Sequence, residues 1–539
     1  MGRVTPPGRL LPWILLLLPF RLSAQATDSA TTPPANDSSI VRAVVIERRD
    51  VFDPSETGFI PRLANALHIE TRAVTVRREL LFRPGEPYDS AAVAESQRNL
   101  RALGIFRRVT IDSTRTDSGL VMRVITRDGW STKTDLRFRS VGGDVEFTVG
   151  LVEDNLLGTA SSASARYRKT TDRTSVALGF RRPRLFGGEV GLALGYEDRS
   201  DGRLAAAALE QPFYSLTSRN AFRLESENHD ERVLRFFEGE AEASDSLRRR
   251  YTLVRATAAR ALEASSAGYV RLGMQAQVRR DDFVPEGRTD LFQKTVTGAF
   301  GPYVTWNHAR FLVTKGVAGF AREEDVDLGA TVTASLMLAP SALGYERDGI
   351  APSVGSRVGV RLPSGFGYLE GLAGGLYSSA GLDSGAVQVA GTAVLKPRPG
   401  HVAILHAEAG WLENPLPGAE FDLGLSFGPR AFGSHAFTGD RSFMTTAEYR
   451  VTVAENFLGQ AGIGIAGFVD YGGAWYAGSR RRTGWDTGLG IRLGATRSSD
   501  VGAARLDLAH RFANDVDGAG WVITIGKGFV FAPLGRRAL

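Results

Sequence analysis

The sequence predicts a mainly β protein, in which a C-terminal transmembrane antiparallel β-barrel of about sixteen strands follows a small α+β domain. Three observations lead to this fold class. The chain of 539 residues contains 62 glycines, an enrichment that suits strands and tight turns better than helical bundles. An export signal begins the chain, and an alternation of apolar and polar residues runs from about residue 131 to the C-terminus.

The N-terminus has the pattern of a cleavable signal peptide over residues 1–26. Two arginines precede an apolar core over residues 10–20, and an A-x-A cleavage site follows. This core is well short of the roughly 20 residues that a membrane-spanning helix needs. Residues 27–39 are polar and predict a flexible leader. No later stretch is apolar enough for a transmembrane helix, so membrane residence would require a barrel.

Residues 40–128 are predicted to form one small mixed domain. The expected elements are a strand over 40–46, a helix over 75–82, a second helix capped by Asp89 and ended by Gly104, and strands over 106–112 and 120–126. This β-α-α-β-β order can bury one helical face on a three-stranded sheet.

Residues 131–539 are predicted to form the barrel. Short alternating segments recur there, for example Val145, Phe147, Val149 and Leu151, with polar or small residues between them. A soluble sandwich would alternate in the same way. The export signal, the number of strands and the aromatic segment ends favour the transmembrane barrel.

Composition and motifs argue against several other classes of protein. The chain has 65 Lys+Arg against 59 Asp+Glu without a long basic block, so no nucleic-acid partner is expected. It has no cysteine, which excludes disulfides and thiolate sites. Residues 424–428 match G-x-S-x-G and residues 462–467 match G-x-G-x-x-G, but neither motif lies between a strand and a helix. With no convergent histidines no metal site is expected, and these two motifs predict neither a catalytic serine nor a nucleotide cofactor.

An ordered set of short motifs runs through the predicted barrel. The set comprises Asn155-Leu156-Leu157-Gly158, residues 182–187, Pro429-Arg430-Ala431-Phe432, Gly439-Asp440-Arg441, Glu448-Tyr449-Arg450, residues 468–472 and residues 505–509. In this order it resembles the outer-membrane assembly and translocation barrels of the BamA, TamA and two-partner-secretion type. Residues 40–128 resemble one periplasmic POTRA module, whereas most members carry several. The sixth-loop motif of those barrels has Val and Gly where this chain has Pro429 and Ala431.

The resemblance implies a bacterial outer-membrane protein with its POTRA-like domain in the periplasm. Such a barrel inserts or translocates β-rich clients at a seam that opens laterally, without enzymatic chemistry. The implied partners are unfolded β-barrel or secreted client proteins, outer-membrane lipid and periplasmic accessory proteins. The alternative within the same group is a dedicated two-partner-secretion-like export pore. A passive porin, which leaves the POTRA-like domain unexplained, and an outer-membrane lipase are less favoured.

The barrel is predicted to close between its first and last strands, because closure satisfies the backbone groups in a bilayer. The strand with Asp135, Arg137 and Arg139 should meet the strand with Trp521, Ile523, Ile525 and Phe529. The four apolar residues of the last strand are expected to face lipid. The resemblance implies that this seam pairs over a short length only.

A lid is predicted inside the lumen. On the strand with Asp470, apolar residues at odd-numbered positions should meet lipid, so Asp470 points inward. The long segment over residues 413–441 is free to fold inward, and a buried carboxylate is well paired with arginine. We therefore expect Arg430 to reach Asp470 with Phe432 beside them, as the resemblance also implies; the alternative is a solvated loop arginine. The supporting motif residues are Gly439, Asp440, Arg441, Glu448 and Arg450.

Overall fold

The computed structural model describes residues 40–528 except 54, 57, 118, 142–143, 237–244, 294, 321–322, 425–426, 498–501, 513–514 and 517. The predicted signal peptide and leader, the serine of the G-x-S-x-G motif (Ser426) and Phe529 lie outside the described residues. Within them, a small α+β domain is followed by a large β-barrel.

The N-terminal domain has a three-stranded sheet with three helices. Its elements are β1 (Val41–Arg49), α1 (Phe59–Leu67), α2 (Ala73–Arg77), α3 (Ser90–Ala102), β2 (Phe106–Thr116) and β3 (Gly119–Asp128). The central strand β3 runs parallel to β1 and antiparallel to β2. The Asp89 side chain caps α3 by accepting a hydrogen bond from the Ala91 N–H at 2.8 Å. None of the helices in the described chain is long and apolar enough to cross a membrane.

The helices differ from those expected in two ways. Helix α1 lies where the sequence predicts no helix, and the helix expected over residues 75–82 is the shorter α2. Val76 in α2 and Phe82 beyond it are both buried in the domain core. The apolar pattern therefore continues past the end of the helix and does not mark where it stops.

Twenty strands of the described chain close into one antiparallel barrel. They are β4 (Thr132–Val141), β5 (Asp144–Leu156), β6 (Ser161–Lys169), β7 (Thr174–Arg182), β8 (Gly191–Arg199), β9 (Gly202–Gln211), β10 (Asn220–Arg235), β11 (Asp245–Ser265), β12 (Gly268–Pro285), β13 (Val296–His308), β16 (Ala330–Ala339), β17 (Gly349–Leu362), β18 (Gly365–Ser378), β19 (Gly381–Leu395), β20 (His401–Glu413), β23 (Arg441–Phe457), β24 (Ala461–Trp475), β25 (Gly484–Ala495), β26 (Ala504–Arg511) and β27 (Gly520–Lys527). Two hairpins lie outside the barrel wall: β14 (Phe311–Lys315) with β15 (Glu323–Asp327), and β21 (Phe421–Leu423) with β22 (Phe437–Gly439).

The strand number corrects the expectation of about sixteen, while the closed antiparallel barrel is confirmed. Several connections are only two residues long, such as residues 200–201, 266–267, 363–364 and 379–380. Short connections leave more of the chain for strands than the longer loops assumed in the sequence analysis.

The N-terminal domain contacts one end of the barrel, here called the domain end. The Arg72 N–H donates to the Gly158 carbonyl at 2.9 Å, in the turn between β5 and β6. Glu79 receives two hydrogen bonds of 2.9 Å from Arg184, which lies between β7 and β8. The opposite end of the barrel is called the outer end.

The barrel closes between its first and last strands, β4 and β27. In the described residues they pair at two positions only, Phe138 with Ile525 and Arg139 with Thr524. On their other sides, β4 pairs with β5 and β27 with β26 along their full lengths. We call this short junction the seam.

Candidate functional site in the barrel lumen

The connection between β20 and β23 folds into the lumen from the outer end. We call the described residues of this connection, 414–424 and 427–440, the lid. Its buried residues Phe432 and Phe437 pack together with ring centroids 5.1 Å apart, against Ala474 of β24. A side chain at Gly439 would collide with the backbone of Trp475, so the lid can return to the wall only through a residue without a Cβ atom.

Arg430 of the lid makes a two-pronged ion pair with Asp470 of β24. Its Nε lies 2.6 Å from Asp470 Oδ2, and its Nη2 lies 3.1 Å from Oδ1. The Arg430 Nη1 atom reaches Glu448 and Asp507 at 3.2 Å each. The guanidinium lies 3.6 Å from the centre of the Phe468 ring. Arg430 is 3% exposed and Asp470 is 0% exposed, so the pair is desolvated.

Strand alternation explains why these charges meet inside the barrel. On β24, Ile465 and Val469 are exposed on the lipid-facing side, whereas Asp470 is buried. On β26, Leu506 is likewise exposed while Asp507 is buried. The alternation therefore places one carboxylate from each strand in the lumen.

Four acidic and four basic residues form what we call the luminal charge cluster. They are Glu448, Asp470, Asp486 and Asp507 with Arg430, Arg450, Arg492 and Arg505. Arg492 bridges Asp507 at 2.5 Å and Glu448 at 3.0 Å. Asp486 accepts a hydrogen bond from the Ala431 N–H at 3.0 Å. The cluster is balanced in formal charge and fastens the lid to β23, β24, β25 and β26.

The lid also contacts the barrel wall on each side of the seam, at β5 and near β27. Ala431 packs with Val522 of β27, and its carbonyl accepts a hydrogen bond from Arg511 Nη1 at 3.1 Å. Ser434 Oγ donates to Glu146 on β5 at 3.4 Å. The lid therefore spans the inner side of the seam.

A second fastening holds the lid at the outer end. The imidazole of His435 bonds Asp422 at 2.7 Å and Asp172, in the turn between β6 and β7, at 3.1 Å. Its ring stacks on Phe236 at 3.5 Å between centroids. Burial disfavours the charged imidazole, but the two carboxylates outweigh it and raise the pKa of His435 to about 10.

The structure places the other predicted lid residues in different surroundings. Phe432 packs in the apolar cluster of the lid, and the ring that stacks on Arg430 is that of Phe468. Asp440 accepts a hydrogen bond from the Ala477 N–H at 2.8 Å. Arg441 lies over Trp411 at 5.1 Å. Gly439, Asp440 and Arg441 thus shape the exit of the lid, whereas Glu448 and Arg450 belong to the luminal charge cluster.

The predicted seam residues lie on neighbouring strands. Trp521, Ile523 and Ile525 point outward, being 68%, 58% and 39% exposed. Asp135 receives hydrogen bonds of 3.0 Å from both Arg137 and Arg166. Arg139 pairs through its backbone with Thr524.

Sequence reasoning missed Arg492, Asp486 and His435. Arg492 alternates with Ile491 and Leu493, so strand parity alone could have placed it in the lumen. His435 carries no such signal, because its partners come together only when the lid folds inward.

A closed barrel with an apolar outer face and a charged, plugged lumen is a transmembrane β-barrel. No family model matches the chain. It is 27% identical over 136 residues to the outer membrane protein assembly factor BamA of Neorickettsia risticii (strain Illinois), covering 24% of this chain and 18% of that protein. It is 30% identical over 175 residues to BamA of Neisseria meningitidis serogroup B, covering 29% and 21%.

Solved structures of BamA and CdiB are similar to this chain at low sequence identity. BamA from Haemophilus ducreyi lacking POTRA domains 1-3 is 13% identical, with a TM-score of 0.37 over 90% of this chain and 84% of that chain. CdiB from Acinetobacter baumannii is 11% identical, with a TM-score of 0.42 over 91% and 73%.

The two sequence matches confirm the predicted resemblance to BamA-type barrels, and the chain is a protein of the bacterial outer membrane. The matched region spans about a fifth of the length of these curated relatives.

Proposed function

We propose that the chain is a non-enzymatic outer-membrane assembly factor that inserts or translocates β-rich client proteins at the seam. The observation that carries this proposal is the two-position pairing of β4 with β27 in a barrel whose other strands pair at length. Unpaired N–H and C=O groups are costly in lipid, so an opened edge favours pairing with an incoming strand. That edge can template the first strand of a client.

The lid supports this role from inside the lumen. It is fastened to β24 by Arg430 and to the outer end by His435, and Ala431 shares a buried apolar cluster with Val522 of β27. A fastened lid keeps the lumen filled while the seam separates. In this proposal the luminal charge cluster holds the lid and carries out no chemistry.

Residues 40–128 are proposed to be a POTRA-like domain in the periplasm, at the domain end of the barrel. Strand β2 lies at an edge of its sheet and can accept a client strand by added pairing. The proposed partners are unfolded clients, outer-membrane lipid and periplasmic accessory proteins. Expressed alone, residues 40–128 should unfold cooperatively on heating, and circular dichroism would reveal a random coil if that boundary is wrong.

Depletion in the native host tests the proposed function. Loss of many outer-membrane barrels, restored by the wild-type chain, is the expected result. Loss of one exported protein with the other barrels intact would contradict the assembly factor and favour a dedicated export pore.

A further inference from the structure

A second insertion reaches the lumen from the domain end. Residues 309–329 connect β13 to β16 and contain the hairpin β14–β15, whereas many other connections in the barrel are tight turns. We call β14, β15 and residues 316–320 the domain-end hairpin. Its tip includes Val317, Ala318 and Phe320, and it lies inside the barrel mouth.

One side of the domain-end hairpin packs on the wall formed by β18, β19 and β20. Val317 is 7% exposed and belongs to one apolar cluster with Phe366, Val394 and Ile404, one residue from each of these strands. Leu312 and Val326, from β14 and β15, pack against the same cluster. This contact buries apolar surface inside the mouth of the barrel.

The tip also reaches the wall formed by β24, β25 and β26. The ring of Phe320 lies so close to Gly462 and Gly494 that a Cβ atom at either glycine would collide with it. The Ala503 N–H, just before β26, donates to the Ala318 carbonyl at 3.0 Å. Arg450 Nη1 donates to the Val317 carbonyl at 3.0 Å.

The position of these walls in the barrel shows how far the insertion extends. In the order of neighbouring strands, the junction of β25 and β26 is eight strands from the junction of β13 and β16, in a barrel of twenty. These junctions lie on nearly opposite sides. The domain-end hairpin therefore crosses the mouth of the lumen and does not simply line one side.

The glycine motif over residues 462–467 gains an explanation from this contact. It was set aside as a nucleotide site because no helix follows it. Gly462 and Gly464, on β24, both face the Phe320 ring. Residues without side chains leave a shallow recess in the wall, which an aromatic ring fills.

The N-terminal domain holds the other end of the insertion. Arg101 of α3 makes two hydrogen bonds of 2.7 Å to the Asp325 carboxylate on β15. The Arg98 guanidinium lies 4.2 Å from the centre of the Phe311 ring on β14. A two-pronged arginine–carboxylate pair fixes orientation as well as distance, so the position of α3 sets the position of the domain-end hairpin.

We propose that the domain-end hairpin is a second plug, which closes the lumen at the domain end and which α3 of the N-terminal domain holds in place. Displacement of the domain withdraws the Arg101 and Arg98 contacts and favours exit of the tip from the lumen. The barrel then has two plugs, the lid at the outer end and the domain-end hairpin at the other. This inference does not depend on which clients the seam handles.

An introduced cysteine pair tests whether the tip of the hairpin lies against β24. The chain contains no cysteine of its own, so no other disulfide can form. Phe320→Cys with Gly462→Cys should form a disulfide in the folded barrel under oxidising conditions, because the two positions adjoin. Gel mobility with and without reductant measures it. A change of gel mobility on heating shows that the barrel is folded. If the pair fails to crosslink in such a folded barrel, the proposed plug is wrong.

Ion conductance in planar lipid bilayers tests closure and its coupling to the domain. Arg101→Ala and Asp325→Asn should each raise the frequency of channel openings several-fold over wild type, and the double variant should open no more often than either. The matched control is Arg123→Ala, which removes an exposed arginine–carboxylate pair with Glu47 between β3 and β1 of the N-terminal domain and should leave openings unchanged.

The cysteine pair and the Arg101→Ala substitution are then combined in one chain. In the Arg101→Ala background, the oxidised cysteine pair should return openings to the wild-type frequency, and reduction should restore the increase. Equal opening frequencies in the oxidised and reduced forms would overturn the plug. An Arg101→Ala variant that opens no more often than Arg123→Ala would overturn the proposal that the N-terminal domain holds the plug in place.

Discussion

Two regions of the barrel wall differ in how their strands are joined. From β23 to β26 each strand pairs at length with both neighbours, and the luminal charge cluster ties this wall to the lid. Between β27 and β4, the described residues pair at two positions. The reinforced wall and the weak seam are separated only by β27. The barrel therefore concentrates its weak pairing along one line, beside its strongest internal contacts.

The physical cost of opening differs between the two regions for the same reason. Separating two strands that pair at length exposes many backbone groups to hydrocarbon, at several kcal/mol for each unsatisfied group. The seam has few such bonds to lose. Opening there is therefore the least costly way to present a strand edge.

The largest expected effect falls on the reinforced wall. Arg430→Ala or Asp470→Ala leaves a buried charge without its partner, which costs about 3–5 kcal/mol. Thermal unfolding of the purified barrel measures the loss. The double variant Arg430→Asp with Asp470→Arg should recover part of it. If the swap were no better than the single variants, the pairing of the lid with β24 would be in doubt.

A surface arginine supplies the control for that experiment. Arg480 is exposed and pairs with Asp515 at 3.1 Å outside the barrel wall. An exposed pair contributes about 0–1 kcal/mol, so Arg480→Ala should change the melting temperature little.

A smaller effect is expected from pH on the outer fastening of the lid. The pKa of His435 is raised from 6.5 to about 10, so its stabilisation is complete below pH 6.5 and is lost as the pH rises through 10. Despite burial, the hydrogen bond from His435 lowers the pKa of Asp172 below 3.8, so that contribution is lost only as the pH falls below this value. The fastening should be firmest between pH 3.8 and 6.5.

Hydrogen exchange of the lid measures this dependence. Exchange of residues 427–438, after correction for the intrinsic rate, should be faster at pH 10 than at pH 6 in the wild type. His435→Gln should lose most of that difference. A lid equally protected at both pH values would show that His435 does not fasten it.

The alternation of inward and outward side chains along each strand made much of the fold predictable. It also made the pairing of Arg430 with Asp470 predictable. Asp470 had to point inward once Ile465 and Val469 faced lipid, and a desolvated carboxylate favours an arginine partner. The same rule extends to Arg492 and Asp507, which alternate with apolar residues. This alternation gives no information about the connections between strands. Neither the contacts of His435 nor the position of the domain-end hairpin could therefore be predicted.

The remaining differences have similar physical causes. The strand number was underestimated because two-residue connections such as 200–201 and 379–380 leave little sequence between strands. Phe468 stacks on Arg430 because it lies two residues before Asp470 on the same strand face. Phe432, which was expected beside the pair, packs on Phe437 within the lid.

A disulfide across the seam tests whether assembly of client barrels requires the seam to open. Phe138 and Ile525 pair across the seam, and Phe138→Cys with Ile525→Cys would join β4 to β27. The matched control joins β26 to β27 through Leu508→Cys with Ile523→Cys, a pair within a fully paired junction. In cells depleted of the native chain, the oxidised seam pair should fail to restore outer-membrane barrels, while its reduced form and the control pair should succeed. If the oxidised seam pair restored the barrels as well as the control, assembly would not require opening of the seam.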